Sequence, residues 1–198
     1  MKTAPLYFLL MLILVTGSCD FKEHKIGLPY SSQAEEVRKR LKETNYNKEY
    51  CVLVDFSLNS GKKRMFLYNL KTDKIEESLL VAHGDGCGET DGTPKRFSNA
   101  VNSNCSSEGM AVIKERAYSN WGINIKYWLQ GLDISNNNMR KRVVVLHSWG
   151  GIPDIAIYPL KLIQSQGCFT ISNQALLSID NFIKGQQNNQ IILYAFKS

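Results

Sequence analysis

The sequence predicts a mostly β domain with a few peripheral helices, on three observations. From residue 50 to residue 196 the apolar residues come in short runs of strand length, broken by turns rich in Gly, Asn and Ser. Only two segments show helical spacing, and they lie near the two ends of the domain. The regular strand–helix alternation that a doubly wound sheet requires is absent between them.

Each element has its own signal. Ser32-Gln33-Ala34-Glu35 fits a capping box, and Ala34, Val37 and Leu41 recur at helical spacing after it, which predicts an amphipathic helix of about twelve residues. Residues 50–56 and 64–70 read as strands joined through the turn Asn59-Ser60-Gly61, and residues 75–83 as a third after Lys71-Thr72-Asp73. Residues 84–107 hold four glycines, a proline and two cysteines and read as one long irregular segment, a length usually kept for lids or binding loops. Residues 109–117 and 142–147 read as strands, with a turn at 135–138. A second helix is expected at 173–184, with Ser172 as N-cap, Leu176, Leu177, Ile179 and Ile183 as its apolar positions and Gly185 as stop. Residues 190–196 close the chain as a strand.

At 198 residues, one domain plus a targeting segment is expected, and 43% hydrophobic residues supply an ordinary core. A net charge of +6 suits an acidic polymer or a membrane surface. Nucleic acid has no motif behind it and is not expected as a partner. Lys2, the apolar residues 6–15 and the small residues Thr16-Gly17-Ser18 make an export signal over 1–18. Cleavage there leaves Cys19 at the new N-terminus, as in a bacterial lipoprotein, although Thr16 departs from the usual leucine. A lipid anchor on Cys19 is therefore expected, with simple secretion as the alternative. In an oxidising compartment Cys87 and Cys105 are natural disulfide partners, whereas Cys51, inside an apolar strand, reads as a small buried hydrophobe.

The remaining cysteine carries the chemistry. Cys168 ends Ser165-Gln166-Gly167-Cys168, 21 residues after His147, which itself ends an apolar strand. A thiol is a useful nucleophile only as thiolate, so it needs a base that is adjacent in the fold, not in sequence. Gly167 permits unusual backbone angles, so the amides of Gly167 and Cys168 are candidates for an oxyanion site. Ser148 is a candidate to hold the imidazole, through its hydroxyl or its carbonyl, and Tyr118 and Trp149 are candidates to wall the substrate groove. His83 either orders its loop or lines the cleft; with Cys87 and Cys105 it matches no zinc template, and no metal is expected. A Cys-x-x-Cys motif is lacking, which argues against a thiol–disulfide protein.

The order His, then about twenty residues, then Ser-x-Gly-Cys resembles the catalytic domain of murein L,D-transpeptidases, whose usual form is Ser-His-Gly-Cys. Further blocks are similar to that family: Val54-Asp55-Phe56-Ser57 with Ser60-Gly61-Lys62-Lys63-Arg64, Val81-Ala82-His83-Gly84, Phe97-Ser98-Asn99, Ser106-Ser107-Glu108-Gly109 and Arg142 through His147. The resemblance implies a β-sandwich in residues 50–198, after a segment of anchor, linker and helix at 19–49. It implies a cysteine acyltransferase acting on peptidoglycan stem peptides: Cys168 as nucleophile, His147 as base and later acid, Ser165 and Gln166 beside the substrate, and no cofactor. A monomer in the cell envelope is expected. Two positions depart from the family: Gln166 replaces the usual histidine, and Phe169-Thr170-Ile171 follows the cysteine where an arginine usually stands. Anion binding must then come from elsewhere. The alternative is a non-catalytic, wall-binding envelope lipoprotein, and a cysteine protease of ordinary peptides is the nearest enzymatic one.

Overall fold

In a computed structural model, which describes residues 29–197, eight of ten strands form one mixed sheet. In chain order the elements are α1 (Ser31–Leu41), β1 (Tyr50–Asp55), β2 (Met65–Asn69), β3 (Lys74–Leu79), β4 (Glu89–Thr90), β5 (Thr93–Pro94), β6 (Gly109–Tyr118), β7 (Ile125–Gly131), β8 (Val145–Ser148), β9 (Phe169–Ile171), α2 (Asn173–Gly185) and β10 (Ile192–Phe196). The sheet order is β3-β2-β1-β10-β6-β7-β8-β9, and β4 and β5 form a separate small hairpin. The pairs β1/β10 and β8/β9 are parallel and the rest antiparallel.

The sheet is rolled, not flat. Four strands separate β1 from β9, so in a flat sheet their neighbourhoods lie roughly 24 Å apart at about 4.8 Å per strand. Yet the rings of Phe56, just past β1, and Phe169, in β9, are 6.0 Å apart. The roll encloses one core built from alternating residues of every main strand: Val52 and Val54, Met65 and Leu67, Ala111 and Ile113, Tyr127 and Leu129, Phe169 and Ile171, with α2 packed among them. The two layers of the expected sandwich are thus two halves of one sheet. The opposite face of β1, β2 and β10 (Cys51, Leu53, Phe66, Tyr68, Ile192) is covered by Ala34, Val37 and Leu41 of α1, and Cys51 is a fully buried member of that second core.

The roll closes at a seam. Beyond β3 the chain runs on as buried Leu80, Val81 and Ala82, and Ala82 N–H donates to the Thr170 carbonyl of β9 at 2.9 Å. Gly84 then bridges Ser165, with Ser165 N–H donating to His83 O and Asp85 N–H to Ser165 O, each at 2.8 Å. The candidate nucleophile therefore lies where the two edges of the sheet meet.

Several local readings are corrected. Helix α1 starts two residues earlier than the capping box implied: the N-cap is Tyr30 in the left-handed region (φ 66°), no side chain caps it, and Ser32 donates to Gln33 instead. Arg38 holds the helix by donating to Leu70 O, and Arg40 by pairing with Asp133 at 2.5 Å. Ser172 does cap α2, accepting from Ala175 N–H at 3.0 Å, but Leu177 faces outward at 42% exposure. The strands β7 and β9 were not anticipated. The signal for β7 was present, because Ile125, Tyr127, Leu129 and Gly131 are buried in strict alternation. The expected third strand ends at Leu79, the residues after it forming the seam.

Candidate active site

The seam places His147 and Cys168 on adjacent strands. His147 lies in β8, whose parallel neighbour β9 pairs Thr170 with His147 and Phe169 with Leu146. Side chains alternate along a strand, so Val145, His147, Cys168 and Thr170 share one face, opposite the core residues Leu146 and Phe169. That face floors a cleft of about 410 Å³ whose walls include Trp121, Trp149, Gln164, Ser165 and Gln166.

The imidazole is held in one tautomer. Its Nδ1 is 3.0 Å from the Ser148 carbonyl, which can only accept, so Nδ1 carries the proton. Nε2 is then bare and accepts from the Thr170 hydroxyl at 3.0 Å. It is Ser148's carbonyl, not its hydroxyl, that orients the ring; the buried hydroxyl accepts from Ile123 N–H instead. Burial lowers the pKa of His147, the Ser148 bond opposing this and the Lys126 charge adding to it, so the ring is neutral at pH 7.

Cys168 is half-buried and unbridged. Its thiol faces the Val143 carbonyl at 3.6 Å. Burial pushes the thiol's pKa up, while the Val145 backbone and the charges of Arg142 and Lys126 pull it down. The net direction is upward, so thiol and imidazole meet at neutral pH as neutral groups. They are not hydrogen-bonded to each other, since Nε2 is occupied by Thr170.

The loop before the cysteine is fixed by backbone contacts. Gly167 has φ 102°, a conformation that L side chains rarely adopt. A Cβ on Gly84 would lie 2.1 Å from Asn104 O and 2.9 Å from Gly167 Cα, so the chains meet with no room for a side chain. Ser165 Oγ donates to Cys168 O at 2.7 Å and accepts from Gly167 N–H at 3.2 Å. The Gly167 amide is therefore engaged, and the Cys168 amide adjoining the sulfur is the remaining candidate for an oxyanion donor.

The long segment 84–107 buttresses this turn. Cys87 and Cys105 are disulfide-bonded. Arg142 donates to Ser98 O and Ser107 Oγ, both at 2.6 Å, to Ser103 Oγ at 3.1 Å, and to Cys105 O.

Two expected groove residues lie elsewhere. Tyr118 ends β6 at 69% exposure and is outside the cleft. His83 is 1% exposed behind the wall: the fully buried Arg64 donates to its Nδ1 at 2.9 Å, which puts the ring proton on Nε2, with a Glu89 carboxylate oxygen 3.6 Å away. Burial, and then the Arg64 charge, lower the pKa of His83 to about 4. Lys126, Thr170, Trp121 and Gln164 are cleft residues that sequence reading missed. Among the described residues no cluster of His, Cys, Asp or Glu could hold a metal ion.

A family model described as the L,D-transpeptidase catalytic domain matches residues 22–195, and the chain belongs to that family. The match includes α1 as well as the sheet. No curated protein matches the sequence. Solved structures with a similar fold include an L,D-transpeptidase from Xylanimonas cellulosilytica (12% identity, 81% of this chain and 68% of that one, TM-score 0.39). Others are the helical cell shape determining protein Pgp2 from Campylobacter jejuni (10% identity, 84% and 56%, TM-score 0.47) and a mutant of it (10%, 84% and 55%, TM-score 0.48). This chain spans little more than half the length of the Pgp2 structures.

Proposed function

We propose that the protein is a cysteine acyltransferase of the cell envelope that acts on peptidoglycan stem peptides, as an L,D-transpeptidase or L,D-carboxypeptidase. The observation that carries this reading is the placement of His147 and Cys168 on one face of adjacent parallel strands, in one cleft, with Nε2 the unprotonated ring nitrogen. Family membership supplies the substrate class.

In the proposed reaction Thr170 releases Nε2, which takes the Cys168 proton as sulfur attacks the carbonyl of the diamino acid residue. The oxyanion is met by the Cys168 amide, and by the Gly167 amide if Ser165 lets go. Collapse breaks the amide C–N bond, His147 returns the proton to the departing amine, and a thioester remains on Cys168. An acceptor amine, or water, then gives its proton to Nε2, attacks the thioester and expels the thiolate, which is reprotonated. The amine yields a cross-link or exchange product, and water a trimmed stem.

The expected export signal and Cys19, the expected site of a lipid anchor, lie outside the described residues; no helix among those described is long and apolar enough to cross a membrane. Envelope location, lipid anchoring and a monomeric state are part of this proposal.

The test is intact-mass analysis of the full chain incubated with a purified disaccharide-tetrapeptide, with the muropeptide products analysed in parallel. A thioester adduct and new dimers or tripeptides, all absent in Cys168→Ala, are expected. A folded protein with reduced Cys168 that gives neither adduct nor product overturns the reading in favour of a wall-binding protein.

A further inference from the structure

We infer that residues 155–163, in the connection from β8 to β9, dock the domain onto a lipid bilayer, with Ile155, Tyr158 and Leu160 inserted and Lys62 and Lys63 meeting anionic headgroups. This rests on the envelope location in the reading above and on no step of the acyl transfer.

The composition of this loop is unusual for a surface. In Ile155-Ala156-Ile157-Tyr158-Pro159-Leu160-Lys161-Leu162-Ile163, Lys161 carries the only charge and Tyr158 is the only other residue with a polar side-chain atom. Ile155 is nevertheless 73% exposed, Leu160 68%, and Tyr158 and Ile163 57% each. These are four of the ten large apolar residues exposed among the described residues, gathered within nine positions. Apolar residues exposed singly are ordinary, but a group of them marks a surface that something covers.

The exposure is imposed by the fold and is not slack. On the inner side Ile152 and Leu162 pack with Leu80 and Ala82, and Ile157 lies against them. The N–H groups of Ile157 and Tyr158 both donate to Gly61 O, at 2.9 and 3.1 Å, and Leu160 N–H turns back to Ile157 O at 2.9 Å. Leu162 N–H donates to Ser60 Oγ at 3.0 Å. A Cβ on Gly61 would lie 2.0 Å from Leu160 O, so the loop is seated directly on the turn between β1 and β2. With Ile157 and Leu162 turned in, Ile155, Tyr158 and Leu160 are held outward by a backbone that is fixed on both sides of them.

Charge and size select the occupant. The turn beneath the loop carries Lys62 and Lys63, both exposed, with Lys62 Nζ 4.3 Å from the centre of the Tyr158 ring. Neither lysine pairs with a carboxylate among the described residues. The charges nearest in sequence are engaged, Lys161 with Glu89 at 2.9 Å and Asp154 with the Ser172 hydroxyl. An apolar tip edged by a tyrosine and free lysines suits a bilayer interface, where the tip enters the acyl region and the polar ends stay among anionic headgroups. A protein partner or a second copy fits less well, because a standard interface takes about 20–30 residues a side and this patch is one short loop. The path of the chain agrees. Tyr30 donates to Asp55 and packs on Phe66, ring centres 4.9 Å apart, at the end of β1 from which the turn carrying Gly61 emerges. The stretch from Cys19, the expected anchor site, to Tyr30 reaches at most roughly 40 Å when extended, which keeps the loop within range of the bilayer. Ile163 belongs to both the patch and the cleft lining, beside Ile152 and Gln164. Docking therefore brings the cleft to the bilayer and its substrates to the wall layer nearest the membrane.

The experiment is hydroxyl-radical footprinting of the full chain, first without lipid and then on vesicles of equal parts phosphatidylglycerol and phosphatidylcholine, each residue's oxidation rate being normalised to short peptides. The vesicles should slow oxidation of Ile155, Tyr158 and Leu160 at least about fivefold, as side chains sheltered in the interface for most of the time must be. Leu177, exposed on α2, should keep its rate. Ile155→Asp with Leu160→Asp, both outside the cleft lining, should return Tyr158 to its lipid-free rate, with Cys168 alkylated as in the wild type to show that the variant is folded. Lys62→Glu with Lys63→Glu, or vesicles of phosphatidylcholine alone, should weaken the slowing. Patch residues whose rates the vesicles leave unchanged overturn the inference, even where the chain floats with the vesicles through its N-terminal residues. Equal slowing of Leu177 also overturns it, because it reports cover without orientation. Slowing already present without lipid overturns it in favour of a second copy or the chain's own N-terminal residues. Turnover enters none of these readouts, so a failure of docking and a failure of acyl transfer are told apart.

Discussion

Reducing the Cys87–Cys105 disulfide should cost the domain about 3 kcal/mol and slow the alkylation of Cys168 with it. The bridge closes a loop of sequence separation 18. In the chain-entropy treatment a loop of that length removes roughly 11 cal/mol/K from the unfolded ensemble, or about 3 kcal/mol at 25 °C. For a domain of this size that is roughly 6 to 12 °C in Tm. The effect on the site follows from contact: Cys105 O accepts from Arg142 and lies 3.0 Å from the Cβ position of Gly167. A loosened loop therefore loosens the residue before the nucleophile. The assay is thermal unfolding with and without a phosphine reductant, with reduction verified by thiol count, beside the iodoacetamide rate of Cys168 under each condition. The Cys87→Ala/Cys105→Ala double variant serves as control and should show no reductant dependence. Complete reduction that moves Tm by less than about 2 °C would refute the entropic argument. A shifted Tm with an unchanged Cys168 rate would refute the claimed buttress.

Two further outcomes follow from the buried ionisable groups. Because burial raises the Cys168 thiol and lowers His147, the alkylation rate of free Cys168 should climb with pH and turn over above the ordinary cysteine pKa; a plateau already reached near pH 6 would mean a preformed thiolate–imidazolium pair and sink the neutral-pair assignment. His83, held neutral with a pKa of about 4 against about 6.5 when unfolded, favours folding fully above pH 6.5, and that stability is lost as pH falls towards 4, by on the order of 3 kcal/mol. Denaturant midpoints measured across that window should fall in the wild type and fall less in His83→Asn. Asp180, lowered to about 2 mainly by its bonds to Arg116, Lys184 and Tyr127 against burial, titrates below this window and does not obscure it.

The parts of this molecule that were legible in sequence are those that depend on neighbours along the chain. Short apolar runs flanked by turn residues marked β1 and β2, Ser172 marked the start of α2, and the spacing of His147 and Cys168 pointed to a thiol and an imidazole, which share one cleft. What depends on register was not legible. That Lys126 faces His147, or that Thr170 occupies its Nε2, follows from which strands pair and at which residue, and no local pattern states it. His83 shows the same limit. The ring was expected in the loop or the cleft, but Arg64, 19 residues upstream, draws it into the interior across the β2–β3 side of the roll. Ser32 failed differently: its motif is a true capping signature, yet the helix begins two residues sooner, with Ala34 N–H donating to Tyr30 O at 2.9 Å and Ala34 fully buried against the sheet.

The departures from the family pattern become intelligible once the seam is considered. A nucleophile at the meeting of two sheet edges can be positioned by main chain alone, because the edges supply unpaired amides and carbonyls that need partners. Here Ala82, Gly84 and Asp85 on one side and Ser165 and Thr170 on the other exchange those bonds, and the glycines at 84 and 167 let the strands approach until only backbone fits between them. The side chain at 166 is then free of any duty in holding the turn, which is why an exposed amide, Gln166, can stand where a histidine is usual. The residue after the cysteine is likewise drawn into the core, since β9 must alternate: Cys168 and Thr170 outward, Phe169 and Ile171 inward. An arginine at 169 would bury its charge against Phe56. Positive charge near the sulfur therefore has to come from elsewhere in the sheet, and both candidates do, Arg142 from the approach to β8 and Lys126 from β7. Arg142 is tied into the disulfide loop beside Gly167, whereas Lys126 rests over the Trp128 ring and makes no hydrogen bond or ion pair among the described residues.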